Sequence, residues 1–366
     1  MNDLRSVQAE CANNNSSWTE LLFGLLVSFV IIERLYMNVT ITSGTYNNIL
    51  SIVLTISLIL FLFLNGRDSF SIEETKPFVL LIGFVILENA LLINADINEI
   101  GRYVLDISLM WFALKIEFRN TWKIMYFIII AGAVFTFVWP NYADGRITGF
   151  LTTSPTNFGL LETMAIGFLI SSTREYKLKW PLILLALIEI YLTYSRSILL
   201  VAIALVLYKF ISDNWQHKYL RYIMVPSLLI LIALSAPTII SKVFSIRSDG
   251  NASTTTRVFL IQHLFGEFLH STILAKMFGH GAGKSYLFIQ ELVGSKLPPH
   301  SDVLVWLYDC GIVGFGLVIN MIVKATKMSK FVFPVSMLAV GIFHNLLFFP
   351  VGLMLLFLSW GTLLNE

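Results

Sequence analysis

Pro298-Pro299-His300-Ser301-Asp302 leads directly into the apolar run Val303-Leu304-Val305-Trp306-Leu307-Tyr308-Asp309-Cys310-Gly311-Ile312-Val313-Gly314. This junction decides the fold: a polar turn punctuated by two prolines meets a helix apolar enough for a bilayer. It also sets one imidazole at the mouth of that helix. Histidine is the side chain best suited to carry a proton near neutral pH.

The rest of the chain has the same character. Of its 366 residues, 56% are hydrophobic and only 13% charged, and the mean hydropathy is +0.76. Soluble domains carry about 25% charged residues. Apolar blocks long enough to cross a bilayer predict spans near 18–36, 48–64, 78–95, 103–117, 124–139, 158–172, 181–194, 196–211, 222–240, 301–322, 331–348 and 350–364. The blocks paired at 195 and at 349 can each be two short spans or one bent element. The expected architecture is an all-α polytopic membrane protein of about 11–12 helices, a single integral membrane domain over 1–366. The first apolar block, Trp18 to Ile32, follows a polar start and reads as the first span rather than a cleaved leader. Cys11 and Cys310 fall at different membrane depths, which argues against a disulfide. A net charge of +2, with the basic residues sorted into short loops, offers nothing to nucleic acid.

Loop charge fixes the orientation. Arg67 and Lys76, Arg119 and Lys123, Arg174, Lys177 and Lys179, Lys209, Lys218 and Arg221, and Lys324, Lys327 and Lys330 fall in alternate connections. The positive-inside rule makes that side cytoplasmic, and both termini with it. Only isolated arginines, Arg102, Arg146 and Arg196, occupy the short outer loops. The one long loop, 241–300, is also outside. Within it, Thr254-Thr255-Thr256 predicts a helix cap before Arg257, and Phe259, Leu260, Leu264, Phe265 and Phe268 recur at helical spacing. No internal repeat is evident, which disfavours a transporter built from inverted repeats.

Chemistry-bearing residues concentrate on the outer side. Gly279-His280-Gly281-Ala282-Gly283-Lys284-Ser285 resembles a phosphate loop, but the nucleotide motif needs glycine at 278 and the chain has Phe278 there. A glycine turn packing close to a helix, or presenting N–H groups to a phosphate, remains open. His263, His270, His280 and His344 show no convergent partners in the sequence, and no cluster has the spacing of metal ligands. Arg196, in Tyr194-Ser195-Arg196-Ser197, sits between two apolar blocks, where a guanidinium needs water or an anion. With Arg146 and Arg257 on the same side, three forked cations suit a pyrophosphate. Glu88, Asp106, Lys115, Glu162 and Glu189 are ionisable groups inside expected spans; Glu162 is an accessory candidate near the outer site, and interhelical pairing serves for the others.

In this order, Arg146-x-x-Gly149 with Asn157, Tyr194-Ser195-Arg196-Ser197, Thr256-Arg257, Phe278-Gly279-His280-Gly281, and His300-Ser301-Asp302 followed by Gly311-Ile312-Val313-Gly314 resemble the O-antigen ligase/polymerase superfamily of bacterial envelope glycan enzymes. The resemblance spans roughly 140–320 and implies a GT-C-like membrane glycosyltransferase of the inner membrane, with its active site facing the periplasm. It implies undecaprenyl-pyrophosphate-linked glycan as donor and acceptor, with neither metal nor cofactor. It assigns His300 as general base and Arg196 and Arg257 to the pyrophosphate; Arg146 joins them by position and sidedness. Asp302, Glu162 and His280 are accessory candidates. The Pro-Pro-His-Ser-Asp form and the modest length favour an O-antigen polymerase, for which a chain-length regulator is a candidate partner. The alternatives are an O-antigen ligase acting on lipid A-core, an exopolysaccharide polymerase, a protein O-oligosaccharyltransferase and, from a different class, a lipid-linked glycan flippase. An enzyme requires Arg196, Arg257 and His300 to meet at one outer pocket. A flippase instead requires polar groups along a path through the membrane.

Overall fold

The computed structural model describes residues 72–91, 97–115, 121–143, 145–150, 152, 154–213, 250–294, 297, 299–328, 340–341 and 349–364, with isolated positions at 24, 52–53, 56, 337, 344 and 346. The expected spans 18–36, 48–64 and 222–240, and most of 331–348, therefore lie outside the described residues. The described elements are α1 (Ile72–Leu91), α2 (Ile97–Lys115), α3 (Thr121–Ala133), extended by a π-helical turn Val134–Val138, the hairpin β1 (Tyr142–Ala143) and β2 (Arg146–Ile147), α4 (Pro155–Ser171), α5 (Lys179–Leu192), α6 (Arg196–Asp213), α7 (Gly250–His270), α8 (Ile273–Phe278), α9 (Lys284–Val293), α10 (Asp302–Met328) and α11 (Pro350–Leu364). Among the described residues the regular elements are all helices apart from that two-residue ladder. Thr121–Val138 and Asp302–Val323 are long and apolar enough to cross a membrane, and Val351–Leu363 is a shorter apolar helix.

α4 is the centre of the packing. It touches α3, α5, α6 and α11, and its side chains from Phe158 to Ile170 are buried on every face, as expected of a helix apolar all round. Its start is set locally: Ser154 accepts the N–H of Asn157, and Pro155 fills a position whose N–H would have no helical partner. Gly159 lets α6 approach closely, since a Cβ there would stand 3.2 Å from Ile198 Cγ2. α11 packs on α2, where Gly361 lies against the carbonyl of Leu114, and Thr362 shares a 2.8 Å hydroxyl bond with Thr121.

Two open readings are resolved. The block pair at 195 is two helices, α5 and α6, separated by the turn Thr193–Ser195 and packed on each other. The helix carrying Arg257 begins at Gly250, so the three threonines lie inside it rather than capping it. The predicted apolar spacing holds on one face, where Leu260, Leu264 and Phe268 are buried; Phe259 and Phe265 are exposed.

α10 breaks at Gly311, whose φ of 65° is outside the helical region. The break frees two carbonyls, and the glycine loop fills them: His280 N–H donates to Tyr308 O (3.1 Å) and Gly281 N–H to Asp309 O (2.9 Å). Gly279 and Gly311 face each other so closely that a Cβ on either would enter the other's backbone surroundings. Two motifs separated in sequence thus form one clamp.

Candidate active site

The hairpin β1–β2 delivers Arg146. Its turn uses Gly145 at φ 70°, and Thr148 N–H closes it onto Asn141 O at 3.1 Å. Gly149, at φ 63°, lies flat on the Phe158 ring, where any Cβ would penetrate the aromatic face. This packing on α4 explains the Arg146-x-x-Gly149 spacing. Arg146 then reaches the α5–α6 turn: Nε donates to Thr193 O (2.8 Å) and Nη2 to Ser195 Oγ (2.9 Å). Between those acceptors Tyr194 is held at φ 54°, a conformation non-glycine residues seldom adopt. Arg196 follows as the first residue of α6.

His300 occupies a second turn of the same kind, at φ 59°. Ser301 starts α10, accepting the N–H of Leu304 at its hydroxyl (3.4 Å) and that of Val305 at its carbonyl (3.0 Å). Two non-glycine residues in the left-handed region, Tyr194 two residues before Arg196 and His300 itself, mark backbone held in place by its surroundings. Burial, and then the positive charge of Arg257, push the His300 imidazole down to about 4. The imidazole is therefore neutral, with a lone pair available, at physiological pH.

His344 joins these parts. Its Nε2 shares a 2.7 Å hydrogen bond with the Ser197 hydroxyl, and the Arg257 and Arg146 guanidiniums and the His300 imidazole lie within electrostatic reach of it. It is 4% exposed. The sequence shows no partner for this histidine; the structure supplies one across the bundle, Ser197 of α6, and sets Arg146 of β2, Arg257 of α7 and His300 within electrostatic reach. Arg146, Arg257, His300 and the turn bearing Arg196 are thus gathered around one buried imidazole.

The accessory candidates lie elsewhere or act through the backbone. His280 stacks on Tyr308 (centroids 4.1 Å apart); its Nδ1 pairs with Tyr308 O and its Nε2 with Ser271 Oγ, so both ring nitrogens tie the α7–α8 turn to α10. Glu162 is fully buried with Glu189, and the two carboxyl groups lie against Gly132 of α3. Asp302 is buried at the α10 start, its N–H donating to Gly341 O (2.8 Å). The glycine loop's inward N–H groups are occupied by the protein's own anion. Asp309 accepts from Gly283 N–H (3.0 Å), Ser285 N–H (2.7 Å), Ser285 Oγ (3.1 Å) and Tyr103 Oη (2.6 Å). A carboxylate sits where a phosphate would, and the loop is a structural clamp. Among the described residues, no three of His, Cys, Asp and Glu gather as a metal-holding group.

The stretch 181–319, from α5 into α10, matches the family model described as O-antigen ligase. It contains Arg196, Arg257 and His300, whereas Arg146 and His344 lie outside it. Comparison with curated proteins finds no match. The two turns bearing Arg196 and His300, with Arg257 between them in sequence, thus lie in a segment similar to the O-antigen ligase family, which supports a relationship of this chain to the O-antigen ligase/polymerase superfamily.

Proposed function

We propose that the protein is an O-antigen polymerase of the bacterial inner membrane, joining undecaprenyl-pyrophosphate-linked repeat units on the periplasmic face. One observation carries this reading: Arg146, Arg257, His300 and the turn bearing Arg196 are gathered around His344. A polytopic, GT-C-like setting of about 11–12 spans over 1–366, with 241–300 as the long periplasmic loop, agrees with the large apolar side chains left on the molecular surface, such as Leu87, Leu91, Leu184 and Leu200.

In this reading Arg196 and Arg257 hold the donor's pyrophosphate, with Arg146 adding its charge while pinning the turn that carries Arg196. An acceptor sugar hydroxyl attacks the donor's anomeric carbon from the face opposite the pyrophosphate. The new C–O bond forms as the bond to the pyrophosphate oxygen breaks, and the configuration inverts. His300 takes the hydroxyl proton, and undecaprenyl pyrophosphate leaves with its growing charge met by the arginines. The reaction calls on neither metal nor cofactor. A chain-length regulator is the natural protein partner.

The description of the matching family favours a second reading, a ligase moving finished glycan onto lipid A-core. The lipopolysaccharide ladder of a strain lacking the gene separates the two. Core capped by a single repeat unit supports the polymerase. Bare core, with long glycan still on its carrier, supports the ligase, and an unchanged ladder removes both.

A further inference from the structure

The two turns at the site belong to helices far apart in sequence, and one short segment is bonded to both. Gly341 O accepts the N–H of Asp302, two residues after His300 (2.8 Å). His344 Nε2 shares its bond with Ser197 Oγ, one residue after Arg196 (2.7 Å, 147 residues apart in sequence). Only three peptide units separate Gly341 from His344, and these span at most roughly 11 Å. The segment therefore limits how far the start of α10 can move from the start of α6. His344 is buried and Ser197 half-buried, so water competes for the bond less than it would at the surface.

We propose that Gly341 and His344 together brace the general-base turn against the arginine turn, with His344 as a positioning residue acting through Ser197. This rests on the reading of His300 and Arg196 given above and adds to it a residue outside the matched family segment. The brace fixes the distance between the group that takes the proton and the group that holds the leaving pyrophosphate. A displacement of about 1 Å between such groups is enough to cost about 100-fold in rate.

The test is a double-mutant cycle on purified, reconstituted protein supplied with a polyprenyl-pyrophosphate-linked repeat unit. His344→Phe should lower kcat by about 100-fold while changing KM for the donor only a few-fold. Ser197→Ala should do much the same, and the double variant should be no worse than either single one. His344→Gln, which keeps an amide close to the Nε2 position, should recover most of the lost rate. Additive losses, a loss confined to KM, or a silent Ser197→Ala would overturn the brace. Transfer retained by His300→Asn in the same assay would instead remove the parent reading. Should that happen, the same cycle read on melting temperature still tests the tie without substrate: coupling between Ser197 and His344 supports it, and additivity overturns it.

Discussion

Two influences that the sequence does not show together set the protonation of His300, the proposed base. Burial and the Arg257 charge both favour the neutral imidazole, so the base form persists down to about pH 4. Because kcat/KM reports the free enzyme, its acid limb should fall near that value, well below the ordinary histidine range. Arg257→Gln removes one of the two causes. The acid limb should then move to higher pH, alongside an overall loss of rate if Arg257 holds the pyrophosphate as proposed. A limb that stays in place while the rate falls would mean that Arg257 does not act on His300. His300 was legible because it sits at a visible junction between a Pro-Pro turn and a helix. His344 was not, because it lies in an apolar stretch and its partner Ser197 is 147 residues away. Spacing along one element reveals nothing about a hydrogen bond across the bundle.

The glycine clamp shows the same limit for whole elements. Gly279, Gly281 and Gly283 marked a tight loop, and Gly311 and Gly314 marked a special place in α10. Nothing in either stretch says that each is the other's partner. The physical link is the break at Gly311, which releases the carbonyls that His280 and Gly281 then satisfy. Gly311→Ala should therefore destabilise the protein by at least about 2 kcal/mol, since alanine is strained in the left-handed region. The new Cβ would also stand 2.5 Å from Met277 O and Gly279 N. A clear fall in the melting temperature of the detergent-solubilised protein would bear this out; an unchanged one would show that the clamp is not needed. The helices themselves were better predicted. The blocks at 78–95, 103–117, 124–139, 158–172 and 301–322 each meet a described helix, because long apolar runs identify a helix without reference to neighbours. The threonine cap failed because a cap signal is local, whereas α7 continues through it back to Gly250.

For the molecule as a whole, the account depends on Arg146, Arg196, Arg257 and His300 facing the periplasm, an orientation read from loop charge. Cysteine labelling tests it in a background lacking Cys11 and Cys310. A cysteine at Tyr142, exposed on the hairpin beside Arg146, should react with a membrane-impermeant thiol reagent in spheroplasts. A cysteine at Lys177, exposed between α4 and α5, should react only after permeabilisation. The reverse pattern would place the site on the cytoplasmic side and end the polymerase reading. The chemistry itself is settled by proteoliposomes given a polyprenyl-pyrophosphate-linked repeat unit, with product length followed over time for wild type and His300→Asn. Asparagine tolerates the left-handed backbone that His300 adopts, so the turn should survive while the base is lost. The expected result is chain extension by wild type and a loss of about 100-fold or more in His300→Asn, with the protein still folded and inserted. Extension by His300→Asn at the wild-type rate would contradict the assignment of His300 as the general base.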